Sequence, residues 1–269
     1  MRRTLFISFW LIIFVLITPS LAQAFRVESI SGNPSTWQPR TGLIIDGKNL
    51  SNEANIVKNN GYTFVPLRIV LEKMGAVVSW QAETRQVVLV KDSKTVCLKP
   101  GSRWAEVNGK SQKIDAVPFV RDGAIYVPLR FISETFGYQV LWNATADGVA
   151  IFSQPLTAAN DEAEMAGRLR EFYGIDFVHL PKDVRAIRDA YRNYVHPDSL
   201  DAFAGSIYEA IIIPTEYNRV KYVGSQLIAQ TADYAVMLCQ ALDMECEETQ
   251  YLWFLEGFKK SDGRWLMLR

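Results

Sequence analysis

Residues 43–90 recur without a gap at residues 105–152, every position shifted by 62. Of the 48 aligned pairs, 14 are identical. They include Gly47/Gly109, Gly61/Gly123, Val65-Pro66-Leu67-Arg68 against Val127-Pro128-Leu129-Arg130, Glu72/Glu134, Gly75/Gly137, Val78/Val140 and Trp80/Trp142. Similarity at a fixed period means one structural unit used twice. The shared residues are those that shape a backbone and fill a core, so the repeat speaks of architecture before chemistry.

Each copy carries the same local instructions. A strand (Leu43–Ile45 or Ala105–Val107) runs into Asp46-Gly47 or Asn108-Gly109, dipeptides that favour a tight hairpin turn. A second turn, at 59–61 or 121–123, precedes a short strand that ends at proline, a residue suited to the first helical turn because its missing N–H costs nothing there. Leu67, Val70, Leu71 and Met74 then share one helical face, as do Leu129, Ile132 and Phe136. Gly75 and Gly137 end the helices where positive φ is easy. A pair of strands, 77–80 with 87–90 and 139–142 with 149–152, closes each copy.

Trp80 and Trp142 hold the same place in both copies and are expected in the core. Arg68/Glu72 and Arg130/Glu134, four apart on the helices, are expected to pair at the surface, each pair contributing about 0.3–0.5 kcal/mol. The unmatched positions Lys73/Thr135, Ala76/Tyr138 and Lys58/Val120 are expected on the surface, where any binding specificity of the repeat would lie. Trp104 has polar neighbours, Arg103 and Glu106, and is a candidate exposed aromatic for a sugar or protein contact.

The pattern Gly-x-x-x-Val-Pro-Leu-Arg-x-x-x-Glu-x-x-Gly-x-x-Val-x-Trp, at 61–80 and again at 123–142, resembles the copper amine oxidase N-terminal-like domain family. The resemblance covers about residues 40–153. It implies a small α+β module with antiparallel strands around short helices, common in secreted and cell-surface proteins of Gram-positive-type bacteria and without known catalysis of its own. Copper amine oxidase chemistry needs three histidine ligands and a tyrosine-derived cofactor in a separate domain. This chain has two histidines, His179 and His196, and Asn193-Tyr194 is followed by Val195 rather than an acidic residue. That activity is excluded on ligand count, and no cofactor is expected.

Pro155 to Asn160 reads as a linker. Helical spacing follows over 161–173, 182–195 and 199–212, the last capped by Asp198 or Ser199. Strands are expected over 219–230, 234–238, 249–259 and 264–268, the last two joined at Ser261-Asp262-Gly263. The fold class expected is therefore α+β: a duplicated strand-helix-strand module with antiparallel sheet over 25–154, then a helices-then-antiparallel-sheet domain over 161–269. The element order of the second part resembles a cystatin-like domain of the nuclear transport factor class. That resemblance implies an apolar cone able to host a small ligand.

The first 24 residues read as a secretory signal: Arg2 and Arg3, an apolar stretch from Leu5 to Thr18, a break at Pro19-Ser20, and Ala22-Gln23-Ala24 at the cleavage positions. The apolar run is shorter than the ~20 residues of a membrane-spanning helix; an uncleaved anchor is the alternative, and only then would the membrane be a partner. Without Arg2 and Arg3 the chain has 27 basic and 29 acidic residues, so no basic field for nucleic acid follows. Cys97, Cys239 and Cys246 make an odd count. Cys239 and Cys246 can pair if neighbouring strands bring them together, and Cys97 reads as a buried small hydrophobe.

These features point to an exported, non-enzymatic accessory or binding protein, secreted or at the cell surface, with a cell-wall, envelope-protein or carbohydrate partner. Candidate ligand-contacting residues are Trp104, Tyr138, Tyr191 and His196. The alternatives are a structural spacer and a pocket enzyme in which His196 and Asp198 act as general acid and base. His196-Pro197-Asp198 is equally read as turn and cap geometry between two helices.

Overall fold

The two copies interlock. In the computed structural model, which describes residues 42–51, 53–175, 179–212, 220–243 and 250–269, copy one runs β1 (Gly42–Ile45), β2 (Lys48–Asn49), β3 (Val57–Asn59), β4 (Tyr62–Pro66), α1 (Leu67–Lys73), β5 (Val77–Gln81) and β6 (Gln86–Lys91). After β7 (Lys94–Leu98), copy two repeats that order as β8 (Trp104–Val107), β9 (Lys110–Lys113), β10 (Phe119–Arg121), β11 (Ala124–Pro128), α2 (Leu129–Phe136), β12 (Gln139–Asn143) and β13 (Gly148–Phe152). The leader, Cys246 and its pairing with Cys239 lie outside the described residues.

β4 and β11 pair antiparallel with Val65 opposite Val127, the same residue of the two copies. The opening hairpin of copy one joins the closing hairpin of copy two in the order β12-β13-β1-β2, and the other two hairpins join through β7 in the order β5-β6-β7-β8-β9. β1 and β13 are parallel. Because β7 is antiparallel to both β6 and β8, those two run parallel to each other as well. β7 thus keeps the symmetry while carrying the chain from one copy to the next.

The local expectations explain the turns. Asp46 and Gly47 have φ of 45° and 75°, Asn108 and Gly109 of 49° and 76°; two successive positive values are what a type I′ hairpin demands. Pro66 and Pro128 stand one residue before the first turn, closing β4 and β11 in extended backbone. Gly137 takes the left-handed cap at φ 81°.

Burial by face then decides the architecture. Leu43, Ile45, Val149 and Ile151 point into the module core with Val65, Leu71, Val127 and Ile132. Their alternates Ile44, Ala150 and Phe152 point the other way, into a second cluster with Val236, Leu238 and Leu255. Strands covered on both faces read as unbroken apolar runs, as Leu43–Ile45 and Val149–Phe152 do. The described residues fall within one compact unit, Trp37–Arg269.

The second part has α3 (Glu162–Tyr173), α4 (Val184–Tyr191) and α5 (Pro197–Ile212), then β14 (Val220–Gln230), β15 (Tyr234–Asp243), β16 (Gln250–Ser261) and β17 (Arg264–Met267) in one antiparallel meander. Its inner face, with Ala235, Met237, Cys239 and Phe258, packs with Met165, Leu169, Ile187 and Tyr191 of the helices. Asp161 ties the two layers: its carboxylate accepts from the buried Trp265 indole at 2.7 Å, and from Lys260 and Gln230 at 3.3 Å each. The segment read as a linker is held at both ends, Ser153 N–H donating to Asp46 and Thr157 N–H to the Gln230 carbonyl.

Several expectations are corrected. Trp80 and Trp142 are half exposed, because each lies on an edge strand with one flank uncovered. The Lys58 ammonium lies 4.4 Å over the Trp142 ring and pairs with Asp147. Arg68 and Glu72 approach to 3.9 Å; no such pair links Arg130 and Glu134 among the described residues. Ala76 and Tyr138 are buried rather than on the surface. Cys97 is half-buried on the outer side of β7, opposite Val88 and Glu106, instead of in the core. α5 begins at Pro197, which occupies the first helical position, so Asp198 and Ser199 lie inside the first turn instead of capping it.

Candidate functional site

The Asp46-Gly47 hairpin meets β16 backbone to backbone. Beside that contact lies a cleft of about 320 Å³ lined by β1, β2, the end of α1, the start of α5, Tyr234, Lys259 and Leu268. Ile45, Leu50 and Leu268 give it apolar walls, while Lys48, Lys73 and Lys259 bring three ammonium groups. Lys73 pairs with Glu53 at 3.5 Å and Lys259 with Asp198 at 2.8 Å. Lys48 has no ion-pair partner among the described residues. Partial burial, and next the adjacent Lys73 ammonium, hold its pKa below the usual lysine value. The Asp198 carboxyl is held below its ordinary value, chiefly by the Lys259 hydrogen bond.

His196 stands just behind this cleft. It is buried, and its Nδ1 accepts the Asp198 backbone N–H at 3.2 Å. The imidazole thus does the work of a helix cap, satisfying a first-turn N–H that has no helical partner. Its own backbone N–H donates to the Met267 carbonyl at 2.8 Å, fixing the turn against β17. Burial first, then the Lys259 charge, lowers its pKa, with Asp198 opposing. A neutral imidazole whose Nδ1 lone pair is engaged presents no base to the cleft through that nitrogen. Asp198, 3.3 Å from Nδ1, is committed to Lys259.

The other candidates do not converge on His196. Tyr191 is in the core against Phe172 and Phe203, with ring centroids 5.1 Å away in both cases. Tyr138 is buried and its hydroxyl donates to the Met74 carbonyl at 2.5 Å, joining the end of α2 to the end of α1. At the rim of the second core, the exposed Arg269 meets the buried Glu256 at 2.8 Å and donates to the Tyr173 hydroxyl at 2.6 Å.

Trp104 is 57% exposed, on the outer face of the five-stranded sheet. Val77 at 68% and Val90 at 40% share that face. By the 62-residue shift, Val88 and Val90 are the counterparts of Ala150 and Phe152, which Val236, Leu238 and Leu255 of the C-terminal sheet cover. One copy's outer face is occupied; the other's is open. Sequence reasoning found Trp104 through its polar flanks but missed the cleft lysines, which come from separate elements and share no local motif.

Residues 44–151 match the family described as copper amine oxidase N-terminal domain. A stretch of 72 residues, 27% of the chain, is 36% identical to a primary amine oxidase of Klebsiella aerogenes, of which it covers 10%. A stretch of 110 residues, 41% of the chain, is 28% identical to a protease inhibitor of Brevibacillus choshinensis, of which it covers 33%. The chain therefore spans a third or less of these relatives. Among solved structures, a SEC-C motif containing protein from Rhodopseudomonas palustris aligns over 39% of this chain and 77% of its own, at 15% identity and a TM-score of 0.27. That likeness is too slight to carry a fold argument. The cystatin-like expectation for the second domain is not established by these comparisons, although its order of helices followed by a meander is observed.

Proposed function

We propose, on the premise that residues 44–151 match the copper amine oxidase N-terminal domain family, that this chain is an exported, non-catalytic accessory protein of the bacterial cell envelope that binds a partner. The observation that carries this reading is the uncovered face of the five-stranded sheet, with Val77, Val90 and Trp104 exposed. Exposed apolar groups gathered on one face of a sheet mark contact sites. The chain's own second domain provides the precedent, since it docks on the equivalent face of the other copy through Ile44, Ala150 and Phe152. Export rests on the leader pattern at residues 1–24. The likeness to a protein named protease inhibitor favours a protein as the partner over wall carbohydrate. The engaged Nδ1 of His196 speaks against the enzyme reading.

The test is retention of the immobilised full chain's partners from two separate fractions, isolated cell walls and envelope protein extract. Saturable retention of a protein from the extract is expected. Retention on neither fraction overturns the reading; retention on walls alone changes the partner to carbohydrate.

A further inference from the structure

We propose that the cleft between the β1–β2 hairpin and the start of α5 binds a small organic acid, a carboxylate carried on a short apolar body. The site is assembled from both halves of the chain, and it is independent of the open sheet face.

Charge is the first argument. Lys48 and Lys73 line the same cleft from two elements, and like charges placed together repel unless an anion joins them. The carboxylates nearby are already used: Glu53 by Lys73, Asp198 by Lys259, and Asp46 by the Ser153 N–H at 2.8 Å. Lys48 is left without a carboxylate within ion-pair distance among the described residues. Its pKa is lowered by burial and then by Lys73, with the more distant Glu53 carboxylate only partly opposing them.

The second argument is a pair of unspent hydroxyls. Ser199 lines the cleft, and its Oγ, which keeps contact with solvent, has no hydrogen-bond partner among the described residues. Tyr234 lines the same space, and its hydroxyl also lacks a partner among the described residues. Ser199 sits in the first turn of the 16-residue α5, where the helix end favours an anion.

The remaining walls set the ligand's body. Ile45, Leu50 and Leu268 are buried apolar residues, so the tail should be apolar. A volume of about 320 Å³ lies at the small end of ligand pockets, which suits a single small molecule and not a polymer. Copy two offers no such place: Lys110 stands at the position of Lys48, but Thr135 replaces Lys73 and Gln112 replaces Leu50.

Titration calorimetry on the full chain, with hexanoate, phenylacetate, inorganic phosphate and hexylamine as probes, decides the matter. Saturable binding of a carboxylate probe, and none of hexylamine, is expected. Lys48→Met should weaken it about tenfold and Ser199→Ala about threefold, the loss of one charged and one neutral hydrogen bond. Lys110→Met should leave it unchanged. Thermal melts of each variant separate lost binding from lost folding. No saturable binding of either carboxylate, or Lys48→Met binding as the wild type does, overturns the proposal. Phosphate bound as tightly as hexanoate overturns the apolar-tailed class.

Discussion

Gly47 and Gly257 lock the repeat module to the C-terminal sheet: a Cβ built on Gly257 would overlap the Gly47 carbonyl oxygen. Gly47 is constrained twice over, by φ of 75° and by the Phe258 carbonyl oxygen 2.5 Å from its own built Cβ. Its counterpart Gly109 has the same φ requirement, but only the Glu106 Oε1 atom at 4.0 Å. One glycine of the pair therefore serves a turn, and the other serves a turn and an interface.

Gly257→Ala should cost about 3 kcal/mol, because backbone rather than a flexible side chain blocks the new methyl. Gly109→Ala should cost about 1 kcal/mol, the strain of a left-handed residue alone. Urea unfolding of both variants checks the ratio; equal losses would mean that the Gly47–Gly257 contact is not as close as described.

Asp161 predicts an acid-side dependence. Its folded pKa is depressed below 3.8, first by the Trp265 hydrogen bond. The stability it contributes is thus present above the unfolded value and is lost as pH falls through the folded one. The gap in unfolding midpoint between the wild type and Asp161→Asn should hold steady above about pH 5 and narrow below about pH 4. A gap that stays constant down to pH 2 would contradict the charge-assisted bond.

His196 predicts a second window. Its folded pKa lies below the ordinary 6.5, mainly through burial. The unfolded chain therefore takes up the proton first, and stability present above 6.5 is lost as pH falls through the folded value. Asn caps helices without titrating, so His196→Asn should reduce the loss of stability between about pH 7 and pH 5. Denaturant titrations at both pH values measure it, and an unchanged loss in the variant would refute the capping role.

Tyr138→Phe should cost about 1–2 kcal/mol, since it strands the Met74 carbonyl in the core. Trp104→Ser, on the open face, should change stability by about 0.5 kcal/mol or less. Thermal unfolding of the two proteins side by side tests this ranking.

The repeat was legible because each instruction in it is local: Asp-Gly and Asn-Gly turns, proline before a helix, glycine after it. What no local pattern carries is which face gets covered. Val88-Leu89-Val90 and Ala150-Ile151-Phe152 read alike as strands, yet the C-terminal sheet covers only the latter. Trp80 and Trp142 read as core because they recur, and edge position exposes them. Tyr138 and Ala76 differ because the copies pack against each other, not because they face different ligands. The cleft was invisible in the sequence for a related reason, since Lys48, Lys73 and Ser199 are distant along the chain and meet only in the folded structure.

The central claim is that the open sheet face of copy one is the contact surface of a binding protein. Its most direct measurement compares retention of wild-type chain and a Val90→Asp/Trp104→Ser variant on immobilised envelope protein extract. The variant should keep the wild-type melting temperature and lose about tenfold or more in affinity, the effect of removing an aromatic anchor from an interface. Equal retention of the two proteins, or retention of neither, would contradict the account.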